Sequence, residues 1–276
     1  MRLEFVKPLS LPAAAGALAL LSSAASAQEA APRDFCADRP GKGTPSCVLD
    51  QGRWQVELGA FNLARQTSDD ERSQSWNTGD LFVRYGATGL TEIQFGITAY
   101  THETVQDRAT GDRQSSDGVS DITLGVRHSL ANPDGSGLSV AVAGFVTAPT
   151  GSRNLRADGF EGGVLLPVST PLNADWGLSL TPAITVVSNG DGQGRHLAYS
   201  MVAGVGRGVG AWDLGVELWV SRDDDPLQPT TQSTFDLTAV WTPPGSVDSQ
   251  VDLGLNFGLN DDSPDLEFGV GLARRF

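Results

Sequence analysis

The sequence predicts an all-β chain, a transmembrane antiparallel β-barrel of about 12 strands with N- and C-termini periplasmic. Three observations lead there. From Arg53 to Phe276, apolar and polar residues alternate in runs of about ten, each broken by turn residues. The connections between runs alternate in kind. Trp54, Tyr85, Trp176, Trp212, Trp241 and Phe276 fall near strand ends on one side, where amphipathic rings suit a membrane interface.

The chain begins with an export signal. Arg2 and Lys7 are its positive region, and Leu11 to Leu21 is an apolar stretch of 11 residues. Ala25-Ser26-Ala27 is a small-residue cleavage site, so residues 1–27 read as a secretory signal peptide. The apolar stretch is far short of the roughly 20 residues a membrane helix needs. Cleavage would leave 249 residues starting at Gln28.

Residues 28–52 form a periplasmic segment ahead of the first strand. Cys36 and Cys47 lie in it with ten residues between them, and Pro40, Gly41, Gly43 and Pro45 turn the chain. In an oxidising compartment this pair reads as a disulfide. A metal site would need more ligands nearby, and a redox pair closer spacing.

The barrel, 53–276, follows run by run. The first sets Trp54, Val56, Leu58 and Ala60 against Arg53, Gln55, Glu57 and Gly59. The second sets Leu81, Val83 and Tyr85 against Asp80, Phe82 and Arg84. The third sets Ile93, Phe95 and Ile97 against Glu92, Gln94 and Gly96; the fourth sets Ile122, Leu124 and Val126 against Asp121, Thr123 and Arg127. The fifth, Leu138 to Val146, is nearly all small or apolar, and the sixth, Gly159 to Val168, is weakly patterned. Neither shows its facing. The seventh restores alternation from Trp176 to Val186, with Pro182 suggesting a bulge because proline removes a ladder donor. The eighth has Leu197, Tyr199, Met201, Ala203 and Val205 on one face. The ninth sets Trp212, Leu214, Val216 and Leu218 against Asp213, Gly215, Glu217 and Trp219. The tenth sets Phe235, Leu237, Ala239 and Trp241 against Asp236 and Thr238; the eleventh sets Val251, Leu253, Leu255 and Phe257 against Asp252, Gly254 and Asn256.

The last run carries Leu266, Phe268, Val270 and Leu272 on one face, with Glu267, Gly269 and Gly271 on the other, and ends at Phe276. It looks like the C-terminal strand of bacterial outer-membrane barrels. By that likeness Phe268, Val270, Leu272 and Phe276 are the signal read by the barrel-assembly machinery. Arg274 departs from the pattern, standing where an apolar residue is usual.

Connections after odd runs are polar: Arg65 to Ser75, His102 to Gly118, Asn189 to Arg195, Arg222 to Thr231 and Asn260 to Asp265. Those after even runs are tight or rich in Gly and Pro, such as Gly86 to Gly89 and Pro243 to Ser246. Outer-membrane barrels pair long outer loops with short periplasmic turns.

Three segments carry a family resemblance: "LFVRYGATGLTEIQFGI" (Leu81 to Ile97), "DGVSDITLGVRHSL" (Asp117 to Leu130) and "APTGS" (Ala148 to Ser152). The chain resembles the outer-membrane transporter family of the MetA pathway of phenol degradation. The resemblance implies passage of aromatic or other small hydrophobic compounds, and it implies no catalytic residue.

Alternation places Glu57, Asp80, Glu92, Asp121, Asp213, Glu217, Asp236, Asp252 and Glu267 in the lumen, against Arg53, Arg84, Arg127 and Arg275. Such a lumen favours cations or neutral solutes. The competing reading is that these charges pair across strands and fill a narrow barrel, with Arg84, Arg127, Asp80 and Asp121 as the network. The formal charge of -14, with 33 glycines, argues for an exported β protein and against nucleic acid as a partner.

No enzyme is expected. His102 falls in a loop, His128 on the Ile122 face near a strand end, and His196 roughly 13 Å along a strand from Ser200. No Gly-Xaa-Ser-Xaa-Gly occurs. Ser68 to Glu71 and Asp223 to Asp225 are acidic loops without an EF-hand pattern, so they read as solvated faces; no metal and no cofactor is expected.

The expectation is therefore a passive channel for small solutes in the outer membrane of a Gram-negative bacterium, held by lipid. The alternatives are a non-conducting barrel that binds a partner through its loops, and a soluble β-sandwich. Either the side chains of the lumen or the segment Gln28 to Gly52 could plug such a channel.

Overall fold

The structure, a computed structural model, describes residues 32–276. The signal peptide expected at 1–27 lies outside the described residues. The described chain is built from β1 (Trp54–Thr67), β2 (Glu71–Gly86), β3 (Thr91–Asp107), β4 (Arg113–Gly118), β5 (Ile122–Ala131), β6 (Ser139–Ala148) and β7 (Glu161–Leu165). It continues with β8 (Val168–Pro171), β9 (Trp176–Ser188), β10 (Arg195–Val209), β11 (Trp212–Asp223), β12 (Thr230–Trp241), β13 (Ser249–Gly258) and β14 (Leu266–Arg275).

These make a closed antiparallel barrel of 12 staves. β4 and β5 both pair with β3 and form one stave; β7 and β8 both lie between β6 and β9 and form another. β14 pairs with β1, and Phe276 N–H donates to Trp54 O at 2.8 Å. Every strand but β4 therefore has two neighbours, which satisfies backbone groups that lipid cannot.

The barrel is inside out relative to a soluble domain. Gln55, Glu57, Arg84, Glu92, Arg127, Asp236 and Asp252 are buried in the lumen, while Trp54, Leu124, Ile184, Leu218 and Phe276 stand exposed on the outer wall. The period-two alternation is the cause, since successive side chains point to opposite faces. Residues 32–52 form neither helix nor strand and lie inside the barrel, against the wall at the end where β1 starts and β14 stops. That is the terminal end of the barrel.

Four features differ from the sequence expectation. The polar segments Arg65 to Ser75 and His102 to Gly118 are mostly strand rather than loop, so His102 lies in β3. Both faces of these extensions are polar, so alternation vanishes although the hairpin ladder continues. β1 bulges between Gly59 and Phe61 opposite β14, and Gly79 in β2 takes a φ of 68°. Pro182 does not bulge β9 against β10, where Met201 pairs with it in unshifted register. The interruption falls in the facing stave, between Leu165 and Val168, where Leu166 N–H donates to Pro182 O. In an antiparallel ladder a residue's N–H and C=O face the same neighbour, so the donor missing from Pro182 faces that break.

Candidate channel lumen and its plug

Residues 33–50 cross the lumen as a plug, held to the wall by charge at every turn. The Cys36–Cys47 disulfide closes its loop, and Ser46, Cys47, Val48 and Leu49 are buried. Arg33 anchors the start: its guanidinium donates to Val48 O, Leu49 O and Gly89 O.

The first anchor is a buried cluster on β1, β2, β3 and β5. Arg84 donates to Glu92 through both Nε and Nη2, at 2.9 Å each, and reaches Glu57 Oε1 at 3.3 Å. Asp38 of the plug enters this cluster. Its backbone N–H donates to Glu57, and its carboxylate pairs with Arg127 and Arg84. Arg84 and Gln55 donate in turn to Cys36 O, and Leu49 N–H donates to Glu92. Burial alone would raise the Asp38 carboxyl, but the guanidinium groups of Arg127 and Arg84 outweigh it and hold it below its ordinary value.

The second anchor is Arg39, whose Nε donates to Asp252 at 3.2 Å and whose Nη1 lies 3.6 Å from Asp80. Lys42 is the third. Its Nζ lies 2.5 Å from Glu267 Oε2 and 4.4 Å from the centre of the Trp219 ring. The backbone N–H groups of Lys42 and Gly43 both donate to Glu217. A Cβ on Gly41 would come 2.6 Å from Glu217 Oε1, so a side chain there would displace the carboxylate that accepts these two hydrogen bonds. Past the tip, Thr44 and Thr181 exchange two hydrogen bonds of 3.1 Å, and Ser46 meets Ser169. The plug thus spans from β1 to β9.

Of the lumen candidates, Glu57, Arg84, Glu92 and Arg127 come together, and Asp80, Asp252, Glu217 and Glu267 each receive the plug. Three do not join. Asp121 accepts from Gly151 and Ala157 N–H and shapes a loop of the wall; Asp213 is exposed at the terminal rim; Asp236 is fully buried, and neither of its carboxylate oxygens has a hydrogen-bond partner among the described residues. The expected network of Arg84 and Arg127 with Asp80 and Asp121 therefore takes Glu57, Glu92 and Asp38 as its acids instead. Arg275 turns to Asp248 and to Arg33 O, and Arg53 is exposed. Sequence reasoning missed the plug's own charges, Asp38, Arg39 and Lys42. One signal was present: Lys42 is the single lysine after the export signal, and it stands between two glycines.

An apolar cavity interrupts this charged interior. It holds about 180 Å³; Phe82, Phe145, Ala143 and Leu165 give it its apolar surface, and Asp38, Thr44, Gln94, Thr123 and Arg127 complete the lining with polar groups. Two of its lining strands, β5 and β6, lead towards the least regular part of the wall. β4 pairs only with β3, so beyond β5 the space towards β9 is bridged by residues 149–160 and not by a strand. That bridge is held by side chains: Ser152 Oγ accepts from Val119 N–H, Thr150 Oγ1 from Ile122 N–H, and Asp121 from the bridge itself.

The family model described as "Putative MetA-pathway of phenol degradation" matches residues 37–276. Among solved structures, the COG4313 outer membrane channel from Pseudomonas putida F1 aligns with a TM-score of 0.67 at 17% identity, over 86% of this chain and 99% of that one. The translocator domain of the autotransporter NalP from Neisseria meningitidis aligns at 0.50 and 12% identity, over 82% and 89%. The β domain of the Bordetella autotransporter BrkA aligns at 0.50 and 12% identity, over 82% and 100%. At such identities the likeness is one of fold. No curated protein matches the chain in sequence. The fold is that of these outer-membrane β-barrels.

Proposed function

This chain belongs to the family of the MetA pathway of phenol degradation, and from that footing we propose that it is a passive outer-membrane channel for small hydrophobic solutes, aromatic ones included. The observation that carries the reading is the Phe82–Phe145 cavity. It is a largely apolar gap between the wall and the plug, whose Asp38 and Thr44 stand in its lining. A solute entering at the loop end meets apolar surface there. The plug bars the axial way onward, so it leaves sideways, past residues 149–160, into lipid. The lumen charges then serve to hold the plug rather than to select ions.

In this reading both termini face the periplasm, residues 28–52 are the periplasmic N-terminal segment, of which 33–50 are the plug, and 53–276 are the barrel. The outward face of β14, with Phe268, Val270, Leu272 and Phe276, is what the assembly machinery reads. In this reading the protein carries out no chemistry on its solute: the histidines serve in side-chain contacts of the wall, His196 with Asn189 and Asp223, His128 with Thr91 and His102 with Thr104.

A second reading, a non-conducting structural barrel, draws on the same plug and paired charges. The two part in one assay. Cells whose outer membrane carries the protein should take up toluene or phenol faster than cells without it. Phe82→Asn and Phe145→Asn should each remove most of that gain while the barrel stays heat-modifiable. Equal uptake with and without the protein would favour the structural reading.

A further inference from the structure

The outer wall carries a groove that solute passage does not use. It crosses β9 to β13 near the terminal end and holds about 510 Å³. Trp176, Val209, Leu214, Leu237 and Leu253 line it, and Arg207 stands among them. The dip has a local cause. Ala239 sits in register between Leu214 and Leu253, so a methyl group lies where its neighbours carry isobutyl groups. Four strand intervals span roughly 19 Å, the reach of a long acyl chain.

Arg207 makes the groove amphipathic. Its guanidinium lies 5.8 Å from the centre of the Trp176 ring, and Nη2 lies 3.4 Å from Asp175. Its side chain is 45% exposed and that of Asp175 is 62% exposed. A guanidinium offers five donors, and Asp175 engages one. A cation on the lipid face is tolerated where it meets headgroup oxygens. The chain as a whole carries a charge of -14, so a basic group here runs against the general balance. Arg274 also sets a guanidinium against an aromatic ring on the same rim, 5.3 Å from the centre of Phe276.

We propose that this groove binds one glycerophospholipid of the leaflet at the terminal end. The phosphate sits on Arg207 against the Trp176 ring, and an acyl chain lies over Ala239 towards Leu253. Apolar length and phosphate charge are both required, which a free phosphate or a neutral lipid does not supply together. The binding holds whether or not the barrel passes solutes.

Native mass spectrometry of the mature chain in detergent tests this, with phosphatidylglycerol and a diacylglycerol of the same chains as probes. Phosphatidylglycerol should bind the wild type more tightly than diacylglycerol. Arg207→Gln should weaken it about fivefold, the scale of one basic residue at a charged bilayer surface, and erase the preference. Ala239→Phe should fill the dip and weaken both lipids. Equal binding of the two lipids to the wild type, or unchanged binding to Arg207→Gln, overturns the proposal. Should Arg207→Gln fail to fold, the wild-type preference and Ala239→Phe still decide it.

Discussion

Arg84 grips Glu92 with both arms of its guanidinium, and both side chains are fully out of contact with solvent. Removing the cation leaves Glu57 and Glu92 buried without it. Arg84→Met should therefore destabilise the barrel by about 3–5 kcal/mol. The midpoint of urea unfolding, followed by heat modifiability on gels, measures it. A loss below about 1 kcal/mol would mean that water reaches these carboxylates and replaces the pairing.

The Asp38 carboxyl gives the plug an acid limit. Its folded value lies below its ordinary 3.8. A depressed value means that ionised Asp38 stabilises docking above its unfolded value, and that this is lost as pH falls through the folded one. Planar-bilayer conductance should stay at its resting level down to about pH 4 and rise only below it. Opening already near pH 5 would assign the latch to another group.

Gly41 lets the tip of the plug lie against Glu217. Gly41→Leu should push the tip off Glu217 and unseat Lys42, at about 1–3 kcal/mol of docking energy. Single-channel recordings should show larger and more frequent openings, as should deletion of residues 28–49. A mutant as quiet as the wild type would show that the Arg84 cluster alone keeps the plug in place.

Trp54 and Tyr85 pack together at the terminal rim, their ring centres 4.5 Å apart and their planes tilted by 35°. Trp54→Ala should cost about 0.5–1.5 kcal/mol for the ring pair, besides the lost interface anchor. Unfolding in lipid vesicles reads this out, and Tyr85→Ala in the Trp54→Ala background should then add little.

The wall was legible in the sequence because lipid imposes a strict period of two. Leu214, Val216 and Leu218 must face out, so Asp213, Gly215 and Glu217 face in, and Phe276 marks the last strand. The stave of β7 and β8 was not legible. Pro167 breaks it, and its glycines, Gly162 and Gly163, carry no facing. The polar extensions of β1 to β3 hid for the opposite reason, since polar residues on both faces leave no contrast to read. At the site, Glu57, Arg84, Glu92 and Arg127 could be named from parity alone. What they hold could not. Asp38, Arg39 and Lys42 belong to an irregular segment, and only its three-dimensional path brings them to partners up to 225 residues away. The cavity between Phe82 and Phe145 likewise joins β2 to β6, which no run of sequence contains.

The pairing of β14 with β1 turns the wall into a hoop, and a hoop has no end to fray. A soluble sheet that loses its last strand sheds one edge into water, which satisfies the exposed backbone. This chain, cut before Leu266, would bare the facing flanks of β13 and β1 together, within hydrocarbon that can satisfy neither. Damage at the C-terminus is therefore not graded: the chain is either a whole hoop or a sticky ribbon that seeks other strands.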